Sequence, residues 1–344
     1  MSETVKLLAA DLKQTEIVND VGTTIKHIFD KQTKDAVNAA LAINRPLLIW
    51  GEPGIGKSQL AKAVAQELNR VFIPFVADAQ TESRDLLWHF DAIARLAEAQ
   101  IQNANNIDKD ALAMQKFIVP QALWWALNWK NAEQLVTTGK DSDDNSLYRY
   151  QPPAYTGECH PKNGAVVLID EIDKADTSVP NGLLQALGAN RFHPQGLDRA
   201  VEAEGVPPLV IITTNDSHQL PDAFLRRCLS LHLSFPDDAE KQCAFLVQRG
   251  EVNFPELKQS IVGLPDNAAE DNILTLAAKL LITDRQYAET NQLYPLCGQA
   301  EYFDLLRGIE TLNAQKRGTL VELMQCVREY TFQKHPDFPR ADRA

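Results

Sequence analysis

An eight-residue segment near the start of the chain combines small residues, a cation and a hydroxyl at fixed spacing. It reads G-E-P-G-I-G-K-S and fits the pattern G-x-x-x-x-G-K-[ST]. Such glycines let backbone N–H groups turn toward an anion, and Lys57 adds a cation for the outer phosphates of a nucleoside triphosphate. Ser58 supplies a hydroxyl for Mg²⁺, at the start of a helix whose dipole favours phosphate. The predicted cofactor-binding residues are Gly51, Glu52, Pro53, Gly54, Ile55, Gly56, Lys57, Ser58 and Gln59.

The residues on either side of this glycine loop indicate a strand before it and a helix after it. Residues 46–50 are a short apolar run, which is typical of a buried parallel strand. Residues 59–68 are strong helix formers with apolar positions at helical spacing. The alternative is a chance match of the octapeptide at a helix cap. A strand before the loop and a helix after it are the setting that a phosphate-binding loop requires, so the flanking residues favour that interpretation.

Two carboxylates follow a second apolar run, at residues 165–169. Asp170 and Glu171 would stand at the carboxyl end of a central parallel strand, where open α/β sheets bind ligands. Asp170 is suited to hold Mg²⁺ through water, and Glu171 to polarise an attacking water molecule. The alternative is a solvated turn, which the glycine loop upstream makes less favoured.

A third apolar run, residues 209–214, ends at Asn215, and a short helix near Asp222 ends at Arg226 and Arg227. Asn215 could hydrogen-bond the γ-phosphate or the attacking water, or could begin an Asx-turn. The two arginines could be surface cations favoured by a helix C-terminus, or one could be an arginine finger that reaches the γ-phosphate in a neighbouring subunit.

These site residues need a sheet to position them, and the chain supplies five apolar strands. With residues 71–76 and 229–235 added, the pattern predicts an α/β fold with a doubly wound parallel five-stranded sheet over residues 1–236. The opening segment to about Ile43 is predicted to be helical. A small all-helical lid domain is predicted for residues 237–344, because four segments show helical apolar spacing. These segments are Glu240–Gln248, Ile273–Leu281, Tyr302–Leu312 and Leu320–Phe332.

Two insertions interrupt the predicted nucleotide domain, at about residues 82–160 and 191–208. The first holds a polar, helical stretch at 103–110, an acidic run at 141–144 read as a solvated loop, and a tryptophan cluster. Trp124, Trp125 and Trp129 either pack against the core or form a partner surface. In the second insertion, glycine and proline residues flank a polar stretch.

Composition narrows the class of protein. The chain has 344 residues and a net charge of -12, which disfavours a broad nucleic-acid surface. Five scattered cysteines without C-x-x-C spacing indicate reduced thiols rather than a disulfide framework or zinc site. No signal peptide or membrane-spanning stretch is recognised, so a cytoplasmic location is expected.

The motifs, taken in order, resemble the MoxR-type branch of the AAA+ ATPases. They are G-E-P-G-I-G-K-S, V-V-L-I-D-E-I-D-K-A-D, I-I-T-T-N-D and L-P-D-A-F-L-R-R-C. The resemblance implies ATP and Mg²⁺ as cofactors, with Ser58 and Asp170 at the metal. It implies Glu171 as the catalytic glutamate, Asn215 as the polar sensor, and Arg227, with Arg226 as its rival, as the arginine finger. The second insertion resembles the family's projecting hairpin.

The resemblance also implies a homo-oligomer, a hexameric ring with ATP sites at subunit interfaces. Its expected role is chaperone-like remodelling of a partner protein, for which a von Willebrand factor A domain protein is one candidate. The chain departs from the family pattern at residues 296–302, where a second sensor arginine is missing and Arg307 lies further on. The alternatives are a signalling or defence switch with slow turnover, and a nucleic-acid motor, which the acidic balance disfavours. GTP stays open as the nucleotide.

Overall fold

A computed structural model describes residues 5–18, 22–102, 112–140, 146–215, 220–258, 261–262 and 271–338. The predicted polar helix at 103–110 and the acidic run at 141–144 lie outside these residues. The chain divides into two compact units, here called the sheet unit and the helical unit. The sheet unit comprises Met1–Ile17, Phe29–Trp50 and Ser58–His232, and the helical unit comprises Val18–Ile28, Gly51–Lys57 and Leu233–Ala344.

Strands and helices alternate through the first two thirds of the described chain, and helices dominate the last third. The strands are β1 (Gln14–Val18), β2 (Thr24–Ile28), β3 (Leu47–Gly51), β4 (Val71–Val76), β5 (Trp88–Phe90), β6 (Ile118–Pro120), β7 (Thr137–Lys140), β8 (Ser146–Tyr148), β9 (Ala165–Asp170), β10 (Arg191–Phe192), β11 (Val201–Glu202), β12 (Leu209–Thr214), β13 (Leu229–Leu233), β14 (Ile261–Val262) and β15 (Asp271–Asn272). The helices are α1 (Lys31–Ile43), α2 (Lys57–Leu68), α3 (Ala92–Gln102), α4 (Ala122–Leu127), α5 (Trp129–Val136), α6 (Ser178–Ala189), α7 (Asp222–Leu225), α8 (Ala239–Asn253), α9 (Pro255–Lys258), α10 (Ile273–Thr290), α11 (Gln299–Ala314) and α12 (Leu320–Thr331).

The main sheet has five strands in the order β13-β3-β12-β9-β4. Strand β12 pairs in parallel with both β3 and β9, and β9 pairs in parallel with β4. All six residues of β12 and the first five of β9 are buried, because a central parallel strand is covered on both faces. The predicted five-stranded α/β sheet followed by a helical region is therefore confirmed.

The prediction that the opening segment is helical to about Ile43 is wrong for most of its length. Two strands, β1 and β2, precede α1, and helix begins only at Lys31. Thr15 and Ile17 are buried while the residues beside them in β1 are exposed. This two-residue period is the signature of a strand, and it outweighs the local helix preference.

The tryptophan cluster packs into the core of the sheet unit. The side chains of Trp124 and Trp125 are 0% and 4% exposed, and Trp129 contacts Trp125 edge-on at a centroid distance of 4.9 Å. Packing against the core is therefore the correct interpretation for the first two. The second insertion forms a hairpin in which β10 pairs with β11 in antiparallel fashion.

The helical unit contains the four predicted lid helices as α8, α10, α11 and α12. The first three extend beyond their predicted ranges, and α12 ends at Thr331, one residue before its predicted end. The core of this unit includes Leu246, Leu274, Leu281 and Tyr302, all of them 0% exposed. Two short strands, β14 and β15, also pair there and were not expected from the sequence. Among the described residues, no helix has the length and apolarity needed to cross a membrane.

Candidate nucleotide-binding site

The glycine loop lies between β3 and α2, as the sequence predicts. Gly54 and Gly56 have φ values of 78° and 99°, in the left-handed region where residues with a side chain are strained. A Cβ at Gly54 would also lie 3.0 Å from the Cβ of Ala300. Glycine at these positions therefore allows the backbone turn that an anion nest requires.

Lys57 is the first residue of α2, and its side chain is folded back on the loop. Its Nζ donates to the carbonyl oxygens of Gly51 at 2.6 Å and Glu52 at 3.0 Å. The residue is only 7% exposed. The ammonium group is thus held against the loop whose N–H groups would receive phosphate.

A second group of polar side chains, here called the acidic cluster, forms in the sheet unit, where β9 and β12 end at the same edge. It consists of Ser58, Asp170, Glu171, Thr213 and Asn215. The Oγ of Ser58 donates to Oδ2 of Asp170 at 2.8 Å. The Oγ1 of Thr213 donates to the other carboxylate oxygen of Asp170, and accepts from the backbone N–H of Glu171 at 2.9 Å. Asp170 is therefore fixed from both sides by hydroxyl groups.

The carboxylate of Glu171 has two polar neighbours. Asn215 Nδ2 lies 3.3 Å from Oε1, and Lys174 Nζ lies 2.5 Å from Oε2. The hydrogen bond to Glu171 and its negative charge raise the pKa of Lys174. Glu171 itself has a φ of 58°, a left-handed conformation that turns the chain sharply after β9.

Asn215 is positioned by its backbone as well as by Glu171. Its N–H donates to Oδ1 of Asp173 at 3.3 Å, and Asp173 is 3% exposed. The structure therefore brings together Ser58, Asp170, Glu171 and Asn215, four residues that the sequence singled out separately.

The two candidate arginine fingers are placed differently. Arg226 and Arg227 follow α7 directly, and both are exposed. Their backbone N–H groups donate to the carbonyl oxygens of Asp222 and Phe224, each at 3.0 Å. Neither side chain forms a hydrogen bond or ion pair with the described residues of the acidic cluster, so their roles stay predictions.

Two residues around the site were missed by sequence reasoning. Thr213 contacts Asp170 and Lys174 contacts Glu171, and each lies inside a motif already identified. Thr213 could have been found from its place near the carboxyl end of a predicted parallel strand, because neighbouring parallel strands bring their carboxyl ends together. The sequence around Lys174 does not indicate whether its side chain pairs with Glu171 or is solvated.

In the helical unit, Arg285 contacts the glycine loop. Its Nη2 lies 2.8 Å from both carboxylate oxygens of Glu52. Arg307, the arginine considered from the sequence, pairs instead with Asp304 on its own helix at 3.3 Å. Glu52 and Arg285 are 233 residues apart in the sequence, so local sequence patterns could not predict this ion pair.

The donor set of the acidic cluster fits Mg²⁺. Ser58 and Asp170 offer neighbouring hydroxyl and carboxylate oxygens, the ligand type that Mg²⁺ prefers, and Mg²⁺ keeps several waters for its other positions. Within the residues described, no cluster of three or more His, Cys, Asp or Glu side chains could hold a metal ion. A transition-metal site of that kind is therefore not found in this part of the chain.

The sheet order, the glycine loop and the acidic cluster together define a P-loop ATPase of the AAA+ class. The chain belongs to the AAA domain family, dynein-related subfamily, whose family model matches residues 46–228. This match spans the glycine loop, Asp170, Glu171, Asn215 and both arginines.

The chain is also similar to solved structures of other proteins. One similar structure is a mutant of RuvB from Thermotoga maritima, with 13% identity over 87% of this chain and 68% of that chain, at a TM-score of 0.45. Another, from Cytophaga hutchinsonii and provisionally described as an ATPase, has 14% identity over 88% of this chain and 80% of that chain, at a TM-score of 0.34. No curated protein matches the sequence.

Proposed function

We propose that this chain is a MoxR-type AAA+ ATPase that hydrolyses ATP at the subunit interfaces of a hexameric ring and uses the energy to remodel a partner protein. The observation that carries hydrolysis is the acidic cluster, in which Asp170 is fixed by Ser58 and Thr213, and Glu171 lies beside Asn215. The remodelling role and the ring rest on the motif order that resembles the MoxR branch.

Each residue has a distinct task in this proposal. The N–H groups of the glycine loop and Lys57 bind the phosphates, and Ser58 and Asp170 hold Mg²⁺. The metal ion held there would supply positive charge that offsets the negative charge of the phosphates. Glu171 orients the attacking water and accepts its proton, while Asn215 fixes the direction of the Glu171 carboxylate. Arg227 or Arg226 of a neighbouring copy would stabilise the charge that develops on the transferred phosphoryl group.

The exposure of both arginines supports a role toward a neighbouring copy rather than within one chain. The partner protein, a von Willebrand factor A domain protein among the candidates, is proposed from the resemblance alone. A cytoplasmic location is proposed from the scattered, unpaired cysteines.

The test uses two site variants and one matched control. Lys57→Ala should lose binding of a fluorescent ATP analogue. Glu171→Gln should keep binding but lower kcat at least about a hundredfold, because a general base contributes on that order. Glu240→Gln, an identical change at an exposed position of α8, should behave as wild type. A wild-type rate in Glu171→Gln would show that another residue is the general base.

Solution mass tests the ring separately from the chemistry. Glu171→Gln should shift from a smaller species to a hexamer when ATP and Mg²⁺ are added, because bound ATP is not consumed. A monomer under both conditions would overturn the ring.

A second function is an ATP-dependent assembly switch with slow turnover. The observation that favours it is the short contact between Lys174 and Glu171, which engages the carboxylate that hydrolysis needs. A hexamer that forms with ATP but shows no turnover in the wild type would select this alternative.

A further inference from the structure

A cavity of about 750 Å³ opens in the sheet unit between the first insertion and the hairpin. Its wall includes buried Trp124, and its rim carries exposed side chains of both insertions. The charged groups of the lining are Lys116, Arg149, Arg199 and Asp198. The cavity is separate from the acidic cluster, because none of the residues of that cluster lines it.

Direct contacts hold the two sides of this cavity together. The Nδ2 of Asn128 donates to the carbonyl oxygen of Glu202, and the N–H of Glu204 donates to the carbonyl oxygen of Leu127, both at 2.9 Å. The rings of Trp124 and Phe192 meet edge-on at a centroid distance of 5.3 Å. The hairpin is thus fixed to the first insertion, and the cavity has a defined shape.

The charge of the cavity is opposite to that of the protein. Three cations and one acid line it, whereas the whole chain carries a net charge of -12. Among the described residues, none of the three cations forms an ion pair, and the guanidinium of Arg149 lies 5.1 Å from the ring centroid of Phe117. Such an excess of positive charge at one opening attracts an anionic ligand and repels a basic one.

The uncharged residues that line the cavity favour a polypeptide over a nucleic acid as the anionic ligand. Asn131, Gln134 and Thr137 also line the cavity, and amide and hydroxyl groups of this kind can hydrogen-bond a peptide backbone. Leu135 and Leu197 add apolar surface. Single-stranded nucleic acid is usually held by exposed aromatic rings, but Trp124 is 0% exposed and its Nε1 already donates to Asn131 at 3.0 Å.

We propose that this cavity binds an extended, acidic segment of a client protein. The proposal rests on the proposed function, since a remodelling ATPase needs a surface that holds its client, and the two insertions supply one that the plain nucleotide fold lacks. Binding can be measured without nucleotide, so its failure is distinguishable from failure of the ATPase.

The experiment measures fluorescence anisotropy of the wild-type full chain, without nucleotide, with a labelled peptide of about eight residues, about 28 Å when extended. Every second residue of the peptide is acidic, either Asp or Glu, and the residues between them are Leu or Ser. The reference probe replaces each acid by its amide, and a third probe is a single-stranded oligonucleotide of equal charge. The variants are Lys116→Glu, Arg199→Glu and their combination, because Arg149 packs on Phe117 and its loss could disturb folding. Lys162→Glu, the same charge reversal at an exposed position outside the cavity, is the control.

We expect the acidic peptide to bind the wild type and the Lys162→Glu control, and each cavity reversal to weaken binding about fivefold. The amide peptide should bind less tightly, and added salt should reduce the difference. The cavity variants should keep their melting temperature and their rate of ATP hydrolysis without peptide. The proposal is overturned if the acidic peptide does not bind, if Lys162→Glu weakens it as much as the cavity variants, or if the oligonucleotide binds more tightly through the same cations.

Discussion

Glu52 of the glycine loop and Arg285 of α10 form an ion pair in which Nη2 of Arg285 lies 2.8 Å from both carboxylate oxygens. The side chain of Arg285 is 7% exposed, and it also donates to the carbonyl oxygen of Cys297 at 3.0 Å and contacts Glu289 at 3.1 Å. A buried cation with several acceptors has a fixed position. The loop that carries Lys57 is thereby attached to a helix far along the chain.

Glu52→Gln should therefore weaken nucleotide binding by altering the position of the loop. Arg285 would lose a charged acceptor, so the loop should sample more conformations, and we expect the Kd for an ATP analogue to rise about fivefold, with kcat nearly unchanged. Because Glu52 is half exposed, the loss of stability should be modest, about 1 kcal/mol. Titration with the analogue and thermal melting measure the two effects.

Glu289→Gln is the matched control, because it removes the other carboxylate that contacts Arg285 without touching the loop. It should lower the melting temperature slightly and leave the Kd unchanged. An equal rise of Kd in both variants would mean that the loop effect is only a loss of general stability.

Thr213→Val should impair hydrolysis while preserving nucleotide binding. The hydroxyl of Thr213 bridges the carboxylate of Asp170 and the backbone N–H of Glu171, so valine removes the group that aligns them without changing the side-chain shape much. We expect kcat to fall about tenfold, which is the scale of a positioning effect rather than the loss of a catalytic group. Single-turnover hydrolysis measures the chemical step directly.

Thr213→Ser keeps the hydroxyl and should restore most of the rate. If serine is as slow as valine, packing of the methyl group, and not the bridge, is what matters at this position. A rise in the Kd for ATP with an unchanged chemical step would also contradict the assigned role.

Lys174→Met tests whether the ion pair with Glu171 restrains hydrolysis. The Nζ of Lys174, 2.5 Å from Oε2, competes with the attacking water for the Glu171 carboxylate, and the raised pKa of Lys174 keeps its ammonium group protonated at neutral pH. Removing the cation should raise kcat about threefold, with the Kd for ATP unchanged. Steady-state hydrolysis at neutral pH is the measurement, and Lys162→Met is the control.

A fall of kcat in Lys174→Met would instead assign Lys174 a positive part in positioning Glu171. That result would also remove the observation that favours a slow switch.

The sequence was sufficient for the parts of the fold and site that depend on local pattern. The strand at residues 165–170 and its two terminal acids could be identified because a buried parallel strand is apolar throughout and ligands gather at its carboxyl end. The pairing of Glu52 with Arg285 could not, because it depends on how α10 folds back toward the loop. Strand β1 was missed for a different reason, since five residues with alternating burial give only a weak signal.

Two buried thiols should make the stability of the protein depend on alkaline pH. Burial raises the pKa of Cys228 and of Cys297 to about 12, from an ordinary value of 9.0. The folded chain therefore keeps protons that the unfolded chain releases above about pH 9, so the contribution of these thiols is full below about pH 9 and is lost as the pH rises toward about 12. The melting temperature should fall between about pH 9 and about pH 11, which a series of thermal melts would measure.

The same burial should protect these thiols from alkylation, because a thiol with a pKa of about 12 is about one part in ten thousand thiolate at about pH 8. Iodoacetamide should modify exposed Cys326 in the folded protein and reach Cys228 and Cys297 only in denaturant, as peptide mass spectrometry would show. Cys297→Ala removes one of the two thiols, so its melting temperature should fall less steeply with pH than that of the wild type. Cys326→Ala is the control and should follow the wild-type curve, because an exposed thiol has nearly the same environment in the folded and unfolded chain. Rapid modification of Cys297 in the folded protein at the same pH would show that α10 and α11 open readily in solution and expose this thiol.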